Sequence, residues 1–135
     1  MRIKGDISLD TSVVMRLLTA EPEDQYARAF TFLAERLQEN RKIYVSELVL
    51  AEAYFALQFF YELPKNEALK ALLLFTTHSG ISISPTAASV LSQPGLATAN
   101  PGFVDRLIHG SSRTMGHTLA TFEKAAKKLA STHIL

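Results

Sequence analysis

Four acidic residues lie in or beside apolar stretches: Asp10 in ISLDTSVVMRLL, Glu52 in SELVLAEAYFAL, Asp105 in GFVDRLIHG and Glu123 in ATFEKAAKKL. Each has an ordinary reading. Asp10 ends an alternating Ile7-Ser8-Leu9 segment and suits the N-cap of a helix, although Thr11 or Ser12 would cap as well. Asp105 and Glu123 suit first helical turns, where the backbone dipole favours an acid, with Thr121 as the cap before Glu123. Glu47 is fully explained as a dipole-stabilising surface acid, with Ala51, Tyr54 and Gln58 on its face. Glu52 is harder, because at i−4, i+3 and i+7 it meets Leu48, Phe55 and Phe59. A carboxylate in an apolar stripe costs on the order of several kcal/mol unless it reaches water, finds a partner or binds a cation.

One chemistry accounts for all four acids together. Carboxylates gathered beyond the ends of parallel strands form a hard oxygen-donor site suited to Mg²⁺ or Mn²⁺. Their mutual repulsion is relieved only by such a cation. In-line hydrolysis of a phosphodiester needs that arrangement, since the metal activates water and steadies the leaving oxygen. There is no cysteine, so a thiolate zinc site is excluded. None of His78, His109, His117 and His133 stands three or four residues from another, which excludes a helical zinc pair. His109, one turn after Asp105, reads as a packing or surface residue.

These residues must be positioned by alternating strands and helices. Ile7–Leu9, Ile43–Val45, Ile81–Ser84, His117–Ala120 and His133–Leu135 read as strands. Helices are expected over Val13–Leu18, from Pro22 to near Asn40, from Ser46 as N-cap to about Glu62, and from Asn66 to about Thr77. Further helices start at Pro85, run from Phe103 to about Met115, and run from Phe122 to Ala130. Gln93-Pro94-Gly95 through Asn100-Pro101-Gly102 reads as a loop. This order predicts an α/β fold with a mostly parallel sheet covered on both faces, and ligands beyond the carboxyl ends of its strands.

A chain of 135 residues with 47% hydrophobic content is expected to form one domain, 1–135. The net charge of +1 gives no overall nucleic-acid signature. The charges are uneven, however. No Asp, Glu, Lys or Arg occurs from Ala71 to Val104, and beyond it five bases face only Asp105 and Glu123. The charge-free segment, with Leu72, Leu73, Leu74 and Phe75, suits core or dimer surface and is read as core. The start MRIKGD lacks the apolar run of a signal peptide, and glutamates interrupt the greasiest stretch. A cytoplasmic protein without a membrane span is expected.

The ordered set LDTSVVMRLL, LVLAEAYFAL, GFVDRLIHG and ATFEKAAKKL resembles the signature segments of PIN-domain ribonucleases, most of all the VapC-type toxins of toxin–antitoxin pairs. The resemblance runs from about Ile7 to Leu135. It implies a PIN-like three-layer α/β/α sandwich with a mostly parallel central sheet. It also implies a Mg²⁺- or Mn²⁺-dependent endoribonuclease acting on structured RNA with single-stranded loops. Asp10, Glu52 and Asp105 then correspond to the core metal-binding acids. Glu123 corresponds to the fourth, where the family more often has Asp, one methylene shorter. Ser12 matches a small polar residue that orients water or metal, and Thr121 a hydroxyl before the fourth acid. A homodimer and a cognate antitoxin are the partners the resemblance implies.

Two other phosphate chemistries fail on their motifs. A haloacid-dehalogenase-type phosphatase needs a second Asp two residues from the first, and Ser8 and Ser12 occupy those places. A receiver domain needs an acidic pair near the first strand and a late-strand Lys, which are absent. The remaining rival is an inactive PIN-like module that binds RNA or protein, supported by the Glu at position 123. Arg16, Arg106, Arg113 and Lys124 are candidate phosphate contacts.

Overall fold

In the computed structural model, which describes residues 5–135, five short strands alternate with helices. The opening MRIK, part of the start on which the signal-peptide expectation falls, lies outside the described residues. Contacts divide the chain into two compact units, Met1–Ser84 and Pro85–Leu135.

The first unit contains strands β1 (Ile7–Leu9), β2 (Ile43–Val45) and β3 (Ile81–Ser82), with helices α1 (Thr11–Thr19), α2 (Glu23–Gln38), α3 (Glu47–Phe59) and α4 (Lys65–Thr76). The strands pair in parallel in the order β1-β2-β3, with Ile7 opposite Ile43 and Ile43 opposite Ile81. The alternation of each strand sends Ile7, Leu9, Ile43, Val45 and Ile81 to one face, where Ile43 and Val45 are fully buried. The other face carries Ser8, Tyr44 and Ser82, and Ser8 and Tyr44 are exposed. This sheet is therefore covered more fully on one face than on the other, because only one set of alternating residues is apolar. Val14 and Met15 of α1, Leu50, Ala53, Tyr54 and Leu57 of α3, and Ala68, Leu69 and Leu72 of α4 add to the buried set. Leu74 is 64% exposed, so the charge-free leucine run is core on one helical face only.

The second unit contains α5 (Pro85–Leu91), α6 (Phe103–Thr114), β4 (Leu119–Thr121), a 3-10 turn (Lys124–Lys128) and β5 (Thr132–Ile134), with β4 and β5 parallel. Its buried residues include Ala87, Val90, Leu91, Phe103, Leu107 and Ala126. Within each unit the paired strands are parallel, as the βα alternation requires, in a three-stranded sheet in the first and a two-stranded sheet in the second.

Several boundaries differ from the sequence expectation, among them the end of β3 at Ser82 rather than Ser84 and β5 at Thr132–Ile134 rather than His133–Leu135, and two of the differences have clear local reasons. β4 begins at Leu119 rather than His117, because His117 closes α6: its N–H reaches the Ser112 carbonyl at 3.0 Å, while Gly116 N–H reaches Arg113 at 2.9 Å. This pair of bonds, with Gly116 at φ +74, is a Schellman stop that needs the left-handed region. The expected helix after Phe122 is only a 3-10 turn. The Thr132 hydroxyl lies 3.0 Å from the Ala126 carbonyl and 2.8 Å from that of Leu129, capturing acceptors that a longer helix would use. Among the described residues, no helix is long and apolar enough to cross a membrane.

Candidate active site

Asp10 follows the carboxyl end of β1 and is the N-cap of α1. Its Oδ1 accepts the Ser12 hydroxyl at 2.6 Å and the Val13 N–H at 3.1 Å. These two donors, the Ser12 bond first, hold the Asp10 carboxyl below its ordinary pKa, so the group is ionised at neutral pH although it also serves as a cap. Leu9 pairs with Val45, so Asp10 and the start of α3 leave the same end of the sheet. Ser46 caps α3 as expected, its side-chain oxygen accepting from Val49 N–H at 3.2 Å.

Glu52 lies in the second turn of α3, and its Oε1 accepts the Thr11 hydroxyl at 2.8 Å. The structure thus joins Asp10 and Glu52 through the residue between Asp10 and Ser12. Sequence reasoning missed this role and weighed Thr11 only as an alternative cap. The available signal was a hydroxyl beside the acid at a strand end.

The apolar stripe expected to bury Glu52 is turned outward. The core-facing side of α3 is Leu50, Ala53, Tyr54 and Leu57, whereas Leu48 is 73%, Phe55 44% and Phe59 73% exposed. A helix that is apolar almost all round offers two candidate core faces, and the one without a carboxylate is buried. Glu52 is exposed. Glu47, read as a plain surface acid, accepts the Ser84 hydroxyl at 2.5 Å and so ties α3 to the residue before α5.

In the second unit Asp105 occupies the first turn of α6, as expected, but it is exposed. Phe103 and Leu107 point to the core, and Asp105 faces away from both. Among the described residues, no hydrogen bond or ion pair holds its carboxylate. Burial therefore imposes no counter-ion on Asp10, Glu52, Asp105 or Glu123, all of which reach solvent. His109 is buried, and its Nε2–H donates to the Ala130 carbonyl at 2.6 Å, a packing role as expected.

Glu123 follows the carboxyl end of β4 and is itself the cap, correcting the expectation that Thr121 caps a helix containing it. Its Oε1 accepts Ala125 N–H at 3.1 Å, and the Thr121 hydroxyl accepts Glu123 N–H at 2.9 Å. The two residues are adjacent in one turn, with the carboxylate exposed. Of the proposed phosphate contacts, Arg16 is held by Gln25, Nε to Oε1 at 2.7 Å, and Arg106 by Pro101 and Gln93. A cavity of about 620 Å³ opens beside Asp10, with Ser12, Arg16, Arg28 and Phe32 in its wall. Among the described residues, no three His, Cys, Asp or Glu side chains are grouped as a ready metal cage.

Comparison with known proteins matches residues 7–131 to the family model described as PIN domain. No curated protein sequence matches the chain. Among solved structures, VapBC2 from Rickettsia felis bound to a DNA fragment from their promoter aligns over 96% of this chain and 96% of that chain. The identity is 21% and the TM-score 0.39.

Proposed function

Because the chain belongs to the PIN-domain family, whose members are generally nucleases, we propose that it is a metal-dependent endoribonuclease of VapC type. Its substrate in this reading is structured RNA cut in single-stranded loops, where unstacked bases and an accessible backbone meet the protein. The observation that carries the reading is the Asp10–Thr11–Glu52 arrangement at the carboxyl ends of β1 and β2. It consists of an ionised aspartate and a hydroxyl-oriented glutamate where parallel sheets present their ligands.

The donor set fits a hard divalent cation, being carboxylates and hydroxyls with no thiol. Asp10, Glu52 and Asp105 are the residues that would hold Mg²⁺ or Mn²⁺, with Glu123 as the fourth. Such an ion, when bound, neutralises phosphodiester charge and acidifies the attacking water. The chain's own contribution is to keep Asp10 charged through Ser12 and Val13, to aim Glu52 through Thr11, and to fix the turn at Glu123 through Thr121. The family match crosses both compact units, which supports taking 1–135 as one functional domain. The likeness of the four segments to VapC-type toxins supports a homodimer silenced by an antitoxin in the cytoplasm. The lack of cysteine suits that reducing compartment.

The test is incubation of a mixed structured-RNA pool with purified protein in Mg²⁺, in Mn²⁺ and in EDTA, beside Asp105→Asn. Cutting that requires metal and disappears in the variant supports the nuclease. No cutting by folded wild type with either metal would favour the inactive binding module. The cap bond that Glu123 makes to Ala125 already gives its carboxylate a structural use in that case.

A further inference from the structure

A second concavity lies wholly within the second unit, between α5, α6 and the Lys124–Lys128 turn, with a volume of about 480 Å³. Its wall carries Arg106, Arg113 and Lys128 and no carboxylate. Arg106 and Arg113 are seven residues apart, two turns along one face of α6, with Gly110 on the same face between them. Gly110 matters sterically: a Cβ there would stand 2.4 Å from the Thr86 methyl of α5. The absence of a side chain lets Thr86 of α5 seat against α6 at that point, between Arg106 and Arg113.

The Arg106 guanidinium is fixed before any ligand arrives. Its Nε–H donates to the Pro101 carbonyl at 2.7 Å and Nη1–H to Gln93 Oε1 at 3.2 Å. Two of five N–H groups are used, so the planar fork is oriented and its other donors remain for an anion. Arg113 and Lys128 are exposed and make no hydrogen bond or ion pair among the described residues. Cations spread over a surface are ordinarily solvated and offset by acids nearby. Here three line one concave wall that carries no acid, an arrangement that favours an anion in the cleft.

We propose that this cleft binds a phosphate group, with Arg106, Arg113 and Lys128 as its cationic contacts. The phosphate belongs either to an RNA strand or to a free anion. In the first case the cleft deepens the nuclease reading, on which it then rests, as an anchor for the RNA strand.

The test measures binding in EDTA, so that cleavage plays no part. A fluorescein-labelled 12-nucleotide single-stranded RNA and inorganic phosphate are titrated separately and in competition. The proteins are wild type, Arg113→Gln/Lys128→Gln and, as a charge-matched control, Lys65→Gln/Lys70→Gln on α4. The expected result is that the cleft variant weakens RNA binding about tenfold or more. It should also flatten the salt dependence of log K by about 1.4, or 0.7 per lost contact, while the control changes less than twofold. Displacement of phosphate by RNA assigns the cleft to a strand phosphate. Phosphate binding lost in the cleft variant without displacement by RNA assigns it to a free anion. Equal binding of both probes by wild type and cleft variant, or an equal loss in the control, overturns the proposal. Cleft-dependent binding without any metal-dependent cleavage would remove the nuclease reading and leave this one. Metal-dependent cleavage with binding indifferent to the cleft variant would do the reverse.

Discussion

The Thr11 hydroxyl donates a 2.8 Å hydrogen bond to Glu52 Oε1, joining the first turn of α1 to the second turn of α3 across 41 residues of sequence. Both groups reach solvent, so the bond adds about 1 kcal/mol or less to stability. Its main consequence is orientation: it aims one candidate metal-binding carboxylate while the neighbouring Asp10 caps the helix.

Thr11→Val should therefore separate stability from metal use. The melting temperature is expected to move by only a few degrees. The Mg²⁺ concentration for half-maximal RNA cleavage should rise about tenfold or more, the usual cost of losing a group that orients a ligand. Thr11→Ser should restore the wild-type value. An unchanged metal requirement in Thr11→Val would show that the bond has no part in the site.

Most of the element order was legible in the sequence, and the misreadings have identifiable causes. Strand ends and caps at Asp10 and Ser46 follow from single residues with strong local preferences. Burial in α3 did not follow, because the Leu48-Phe55-Phe59 and Leu50-Tyr54-Leu57 faces are both apolar. Choosing between them needs the neighbouring elements, which local periodicity does not contain. The same limit hid the Thr11–Glu52 and Ser84–Glu47 bonds, whose partners are 41 and 37 residues apart. The short turn at Lys124–Lys128 depends on Thr132, which lies beyond the window that suggested a helix.

The ionisation of Asp10 gives a second prediction. The Ser12 and Val13 bonds lower its folded-state pKa relative to the unfolded chain, in which Asp titrates at about 3.9. The stability they confer is present above that value and is lost as pH falls through the lower folded-state pKa. Carboxyl NMR titration in EDTA should place Asp10 below the ordinary aspartates. In Ser12→Ala its pKa should rise toward theirs, and acid unfolding should show a smaller dependence on this group. An Asp10 pKa that ignores Ser12→Ala would contradict the assignment.

Gly110 supplies a prediction about packing. Gly110→Ala places a methyl 2.4 Å from Thr86 Cγ2. The overpacking should cost about 1–3 kcal/mol in urea unfolding, despite the higher helix propensity of alanine. Thr86→Ser removes the opposing methyl, so the double variant should recover most of the loss. Additive destabilisation in the double variant would mean that the two residues are not in contact.

Glu123 tests the family pattern directly. Glu123→Asp should keep the capping bond to Ala125, since a shorter side chain reaches the same N–H in an aspartate turn. With the carboxylate drawn in by one methylene, metal-dependent cleavage should rise several-fold, and Glu123→Gln should lower it. Equal rates for Glu, Asp and Gln at this position would limit Glu123 to its structural bond.

The central claim is that Asp10, Glu52 and Asp105 hold a divalent ion, and metal binding itself tests it most directly. Electron paramagnetic resonance of added Mn²⁺ separates free from protein-bound ion without reference to catalysis. The expected result is a bound fraction in wild type that Mg²⁺ displaces. That fraction should be lost in Asp10→Asn, in Glu52→Gln and in Asp105→Asn, each with an unchanged circular dichroism spectrum. Mn²⁺ that stays free in folded wild type, or that binds Asp10→Asn and Asp105→Asn as well as wild type, would contradict the claim.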